Sequence, residues 1–255
     1  MKIISYNVNG IRAALKKGLD EWLKECNPDI VCIQETKALE DQVDTEIFKE
    51  LGYKYIYWHA AEKKGYSGVT ILSKIEAIST KIGMGIDTYD IEGRTILCEF
   101  ENFTLINTYF PSGTSGEERQ SFKYAFLDDY YNYVSELKKT YNNLVICGDF
   151  NICHKAIDIH NPDRNKNTSG FQPAERAWVT KFIDEGGFVD AFRKFDESPH
   201  KYSWWTYRAG ARKKNLGWRI DYFMVQKEFS DALVSSQLHN EAVHSDHCPV
   251  EIVLR

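Results

Sequence analysis

Leu144-Val145-Ile146-Cys147-Gly148-Asp149-Phe150-Asn151 is the stretch on which the reading of this chain turns. Four apolar residues, two of them β-branched, run directly into Gly-Asp-x-Asn, a turn sequence carrying two oxygen-bearing side chains. An apolar run this short, stopped this abruptly, favours a buried strand over a helix. The same design recurs along the chain. Residues 2–5 run into Asn7, Asn9 and Gly10, and residues 29–33 run into Gln34 and Glu35. Residues 69–72 lie between Gly68 and Ser73, and residues 104–107 run into Tyr109, Pro111 and Gly113. Residues 220–225 and 249–253 follow. Helices are predicted between the strands. Residues 15–26 place Leu15, Leu19, Trp22 and Leu23 at helical spacing before Asn27-Pro28, and residues 39–51 stop at Gly52. Residues 117–141 form a long amphipathic segment, and residues 173–185 open on Pro173 and close on Gly186-Gly187. Many strands interspersed with a few helices predict two packed sheets with helices outside, an α/β sandwich.

The 255 residues show no composition break, repeat or low-complexity linker, so one domain over 1–255 is expected. No apolar run approaches the roughly 20 residues needed to span a bilayer. Asn7, Asn9 and Arg12 interrupt any secretory signal at the N-terminus, which points to an intracellular, cytoplasmic address. None of the six cysteines forms a C-x-x-C pair. Cys32, Cys98 and Cys147 lie inside apolar runs, where a reduced thiol behaves as a small hydrophobe. The net charge of -5 argues mildly against a nucleic-acid partner, but the charge is segregated. Residues 198–220 contain no acid and carry Lys201, Arg208, Arg212, Lys213, Lys214 and Arg219.

The strand ends deliver a chemically coherent set: Asn7, Glu35, Tyr109, Asp149, Asn151, Asp221, Asp246 and His247. Singly, each reads as an ordinary turn or loop residue. Together they are oxygen-rich with one imidazole, which suits Mg2+ better than zinc. Phosphodiester hydrolysis needs such a set: a cation to neutralise phosphate charge and a base oriented by a carboxylate. On the residues alone, the carboxylate that orients His247 is either its neighbour Asp246 or Asp221.

Seven segments carry a resemblance. They are residues 5–13 (Ser-Tyr-Asn-Val-Asn-Gly-Ile-Arg-Ala), 34–37 (Gln-Glu-Thr-Lys), 66–69 (Tyr-Ser-Gly-Val), 109–111 (Tyr-Phe-Pro), 148–151 (Gly-Asp-Phe-Asn), 217–222 (Gly-Trp-Arg-Ile-Asp-Tyr) and 245–249 (Ser-Asp-His-Cys-Pro). In this order they resemble the exonuclease III / AP endonuclease family of the endonuclease/exonuclease/phosphatase superfamily. The resemblance implies a four-layered, DNase I-like α/β sandwich, two packed mixed β-sheets flanked by helices. It implies Mg2+, with Mn2+ able to substitute, near Asn7, Glu35, Asp149, Asn151, Asp246 and His247, Glu35 being the direct ligand. Asp149 would orient or activate water or protonate the leaving oxygen, and Asn151 would position phosphate or water. Tyr109 would contact the phosphate or the leaving group. His247 would bond the phosphate or act as base, its ring held by Asp221. The implied activity is cleavage of double-stranded DNA 5' to abasic sites by a monomer, with 3'-5' exonuclease or 3'-phosphodiesterase work beside it. Arg12, Lys123, Asn165, Tyr207, Arg212 and Arg219 would contact DNA. Trp204, Trp218 and Ile220 would line the pocket for a flipped-out sugar. The bland reading of the tryptophans is an aromatic strand with alternate residues buried, and the two readings are compatible on opposite faces. Asn9, Ser112 and Thr168 depart from residues common in relatives; Asn9 removes one negative charge from the metal side. Two other functions compete: action on an inositol phosphate or phospholipid head group, and silent DNA binding.

Overall fold

The computed structural model describes residues 1–255. Twelve strands form: β1 (Lys2–Asn7), β2 (Ile30–Gln34), β3 (Tyr55–His59), β4 (Val69–Ser73), β5 (Ser79–Ile82), β6 (Thr95–Glu99), β7 (Thr104–Thr108), β8 (Leu144–Asp149), β9 (Phe188–Asp190), β10 (Asp221–Gln226), β11 (Leu233–Leu238) and β12 (Val250–Leu254). They pair into two six-stranded sheets, ordered β11-β12-β1-β2-β4-β3 and β5-β6-β7-β8-β10-β9. Each sheet is mixed, with one parallel pair at its centre: β1 with β2, and β7 with β8. All the other pairings are antiparallel.

Both faces of the central strands are buried, which is why they read as continuous apolar runs without alternation. Inner-face residues such as Ile3, Cys32, Ile71, Leu105, Cys147 and Phe223 fill the space between the sheets. The opposite face of the second sheet presents Leu97, Ile106, Ile146 and Met224 to the helices Glu117–Leu137 and Pro173–Asp184. The opposite face of the first presents Ile4, Tyr6, Val31 and Ile33 to the helix Leu19–Cys26 and to Phe48. The order is helix, sheet, sheet, helix, the four-layered sandwich that was expected. No helix is long and apolar enough to cross a membrane. All six cysteines are free.

The predicted helices change in two places. Residues 15–26 do not form one rod: Gly18, at φ +85°, separates Ile11–Leu15 from Leu19–Cys26. Residues 39–51 give a 3-10 turn at Glu40–Gln42 and a short helix at Glu46–Glu50. Between them Val43 is extended, and Asp44 accepts a bond from the Glu46 amide, a local alternative to the helical ladder. The strands β3, β5, β6, β9 and β11 have no counterpart in the sequence reading; β5 is exposed along its whole length. The Trp204 region is not a strand but a set of single bridges, Trp204 to Trp218 and Trp204 to His247.

Candidate active site

The topology explains why distant strand ends meet. Because β1 and β2 are parallel, Asn7 lies opposite Gln34, and Glu35 follows at the same edge. In the other sheet, β10 runs antiparallel to β8, so its first residue, Asp221, pairs with the last residue of β8, Asp149. The loop into β12 arrives beside β1, where Ser5 pairs with Val250, and carries Asp246 and His247 to the same place. Gly148 makes the junction possible. A Cβ there would fall 1.8 Å from the Thr108 carbonyl oxygen, so only glycine lets β8 pass this close to β7. Beneath the edge, the buried Asn107 amide donates to the Ile33 and Thr70 carbonyls and accepts from Gln34, locking one sheet against the other.

At the surface of this junction Asn7 donates through Nδ2 to Glu35 Oε1 and to Asp149 Oδ2, both at 2.9 Å. Its own Oδ1 accepts from the Asn9 backbone, so Asn7 spaces the two carboxylates and does not aim an oxygen between them. Asn151, at φ +53°, donates its backbone N–H to Asp149 Oδ1 at 2.8 Å and its amide to the Phe110 carbonyl. His247 Nδ1 lies 2.9 Å from Asp221 Oδ2; an ionised carboxylate only accepts, so Nδ1 carries the hydrogen and Nε2 faces Asp149 Oδ2 at 3.9 Å. Ser203 fixes Asp221 in turn, donating at 2.6 Å. The orienting carboxylate is therefore Asp221. Asp246 is held aside by Asn9 and by the Trp204 indole N–H.

Glu35, Asp149 and His247 each place one donor atom within 4.8 Å of the others, whereas Asp246 stands outside this cluster. Two carboxylates and an imidazole fit a hard divalent ion, and the absence of sulfur fits Mg2+ better than zinc. Charge is unbalanced here. Burial pushes the Asp149 carboxyl well above the usual carboxylate range, and the neighbouring Asp221 and Glu35 charges push it further. Burial disfavours the His247 imidazolium, but Asp221 outweighs it and raises that group strongly. Burial likewise opposes ionisation of Glu35, yet the Lys37 ammonium, 2.7 Å away, holds it below its ordinary value.

A cavity of about 300 Å³ opens on the cluster. Tyr109, Trp204, Trp218 and Ile220 line it, with Trp204 and Trp218 edge to face at 6.0 Å. Gly170 supplies part of the rim at φ +95°, where a side chain is strained and its Cβ would lie 3.0 Å from both the Asn151 carbonyl oxygen and the Trp218 ring. Arg94, fully buried, lies over the Tyr109 ring at 5.0 Å and donates to its carbonyl. A larger cleft of about 640 Å³ lies against the helix Pro173–Asp184, but it holds none of the strand-end donors.

Several sequence-predicted contacts are placed elsewhere. Lys123 does not face solvent: it is fully buried, pairing with Glu175 at 2.6 Å and donating to the Asn151 carbonyl. Arg219 is equally buried between Asp158 and Asp190. Each is a structural cation, because a buried charge persists only when paired. Arg212 spends its guanidinium on the carbonyls of Asn240, Ala242, Ser245 and His247 and so braces the loop that carries His247. Asn165 turns its amide back to His160 and Asn161. Arg12 and Tyr207 are exposed. Arg12 lines a shallow depression with Lys16 and Lys37, next to Glu35. Lys37, Ser203 and Arg94 were missed as site residues. Lys37 had a signal, two positions after Glu35, whereas Ser203 and Arg94 act through tertiary contacts that no local pattern announces.

Residues 4–247 match the model of the Endonuclease/Exonuclease/phosphatase family. The chain is 42% identical over 257 residues to the exodeoxyribonuclease of Bacillus subtilis (strain 168), covering 100% of this chain and 99% of that one. It is 40% identical to the DNA repair nuclease APEX1 of Danio rerio, covering 100% of this chain and 82% of that one. The solved structure of an AP endonuclease from Archaeoglobus fulgidus superimposes with a TM-score of 0.89 at 33% identity, covering 100% and 99% of the two chains. With the family's strand-end donors gathered at one edge and full-length similarity on both counts, the chain belongs to the endonuclease/exonuclease/phosphatase family, in its exonuclease III / AP endonuclease branch, and is a nuclease.

Proposed function

We propose that this DNA-repair nuclease hydrolyses the phosphodiester on the 5' side of an abasic site in duplex DNA, using Mg2+ for which Mn2+ can substitute. The observation that carries the reading is the junction of two features: a three-donor cluster of Glu35, Asp149 and His247, and an aromatic-walled cavity of about 300 Å³ opening on it. Glu35 and Asp149 would hold the ion. When bound, it supplies neutralisation of phosphate charge and stabilisation of the departing oxygen. The chain's own residues do the rest. Asn7 holds the two carboxylates at a set spacing. Asp221 holds the His247 ring through Nδ1 and leaves Nε2 as the atom available to the phosphate. The upward push on Asp149 suits a group that moves a proton, either from water or to the leaving oxygen. Asn151 and Tyr109 line the cavity, which supports a role for both in holding the phosphate.

Trp204, Trp218 and Ile220 suit a sugar that lacks its base, and extrusion costs least where nothing is stacked or paired. Exposed Arg12, Tyr207, Arg208, Lys213 and Lys214 are available to the backbone, giving salt-sensitive affinity. The enzyme would work as a one-domain monomer in the cytoplasm, with 3'-5' exonuclease or 3'-phosphodiesterase activity at the same centre.

The test is cleavage of a defined abasic duplex with Mg2+ and with excess EDTA, mapping the product ends. The expected products are a 3'-hydroxyl and a 5'-deoxyribose phosphate, with no cutting in EDTA. An inositol polyphosphate assayed in parallel addresses the competing substrate class. Preference for it would replace the DNA assignment, and binding of abasic DNA without turnover would leave only a DNA-binding module.

A further inference from the structure

A second cluster of metal-ligating side chains lies away from the strand-end donors, on the helix-covered face of the first sheet. Cys26 ends the helix Leu19–Cys26, His239 follows β11, and Glu251 sits within β12. Their donor atoms all lie within 4.8 Å of one another. His239 Nε2 is 3.1 Å from Glu251 Oε2, and Cys26 Sγ is 3.9 Å from the same oxygen. Tetrahedral zinc, with bonds of about 2.3 Å to sulfur and about 2.0 Å to nitrogen or oxygen, requires edges of roughly 3.3 Å (N to O) and roughly 3.5 Å (S to O). The two edges that meet at Glu251 Oε2 are thus within a few tenths of an ångström of those values before any ion enters, and all three donors lie within 4.8 Å of one another.

We propose that Cys26, His239 and Glu251 form a binding site for a thiophilic divalent cation of the Zn2+ class, separate from the catalytic centre. The surroundings have the form such a site needs. Glu241 accepts from the other ring nitrogen, Nδ1, at 3.0 Å, which leaves Nε2 as the ligand atom and fixes the ring. Gln237 holds the second oxygen of Glu251 at 2.9 Å, and the Trp22 ring packs edge-on to His239 at 5.4 Å. One thiolate, one carboxylate and a neutral imidazole exactly offset a 2+ ion, leaving a neutral site over a carboxylate that is almost wholly buried. Lys2, whose head is 3.9 Å from Glu251, donates to the Cys26 carbonyl at 2.9 Å and is partly exposed, so it does not occupy the space between the three donors. The two clusters sort metals by softness: the catalytic one has no sulfur and suits Mg2+, whereas this one offers a thiolate that Mg2+ avoids.

The experiment uses the full chain, stripped with chelator, returned to excess Mg2+ and titrated with Co2+ as the spectroscopic stand-in for Zn2+. A thiolate-to-cobalt charge-transfer band is expected, saturating at one ion per chain, abolished by Cys26→Ser and bleached by one equivalent of Zn2+. No band in the unmutated chain, or a band that persists in Cys26→Ser, overturns the proposal. A second measurement avoids substitution altogether. Zn2+ should slow alkylation of Cys26, read by peptide mass, on the order of tenfold, because the bound thiolate is withdrawn from reaction. An unchanged rate at saturating Zn2+ also overturns it.

Discussion

Two buried constellations of charge sit within the same sandwich and are built on opposite terms. Around Arg219, two acids meet two guanidinium groups: Asp158 accepts from Arg219 and Arg193, and Asp190 accepts from Arg219. Burial opposes the Asp158 charge, but the two arginines win and bring its carboxyl down to about 2. At the strand-end edge, Glu35, Asp149 and Asp221 face only Lys37 and His247, and Asp149 is pushed up instead of down. A balanced network supports the fold. An unbalanced one is held in place by the fold and is available to a cation and a phosphate.

The contrast is broken most directly at Asp149. Asp149→Asn is expected to lower abasic-site nicking on the order of a thousandfold while the unfolding free energy in urea stays within about 1 kcal/mol of wild type. The substitution removes one of three crowded carboxylates, so loss of fold should not be its consequence. Nicking at the wild-type rate would remove Asp149 from the chemistry. Arg219→Met should do the reverse. It leaves Asp190 without its guanidinium partner and Asp158 with Arg193 alone, and should cost roughly 3–5 kcal/mol in urea unfolding, with turnover per folded molecule retained. A neutral effect on stability would mean that the network is not what holds the segment after residue 155 to β9.

Acid titration sharpens the same comparison. Because the folded-state Asp158 carboxyl is depressed, its contribution is fully present above the unfolded value and lost as pH falls through about 2. The gap between the two values corresponds to roughly 2 kcal/mol, to be read as falling stability between about pH 4 and pH 2 and as a loss of that slope in Asp158→Asn. The smallest effect is expected at the surface. Lys213→Ala or Lys214→Ala should weaken abasic-duplex binding modestly and reduce the slope of log affinity against log salt by about 1 each. A change in sequence preference or in kcat would show that these residues do more than meet the backbone.

The sequence alone carried the sandwich because central strands buried on both faces leave short, uninterrupted apolar runs, and because the strand ends repeat one polar signature. It also carried Glu35, Asp149, Asn151 and His247, each lying in a motif whose order is specific. The residues alone left two partners for His247 open, and the family resemblance implied Asp221: Asp246 is adjacent in sequence, but its carboxylate is held by Asn9 and Trp204, and Asp221 arrives from another strand. The basic segment misled for a related reason. A run of cations reads the same whether it faces solvent or acids, and only packing separates exposed Lys213 and Lys214 from Arg219, which is enclosed by Asp158 and Asp190. Lys123 is the same case on a helix, enclosed against Glu175. Local sequence determines which residues can form strands and which side chains their ends carry. Which of those side chains meet, and which charges are cancelled, is decided by strand order and register, because the contacts join residues far apart along the chain.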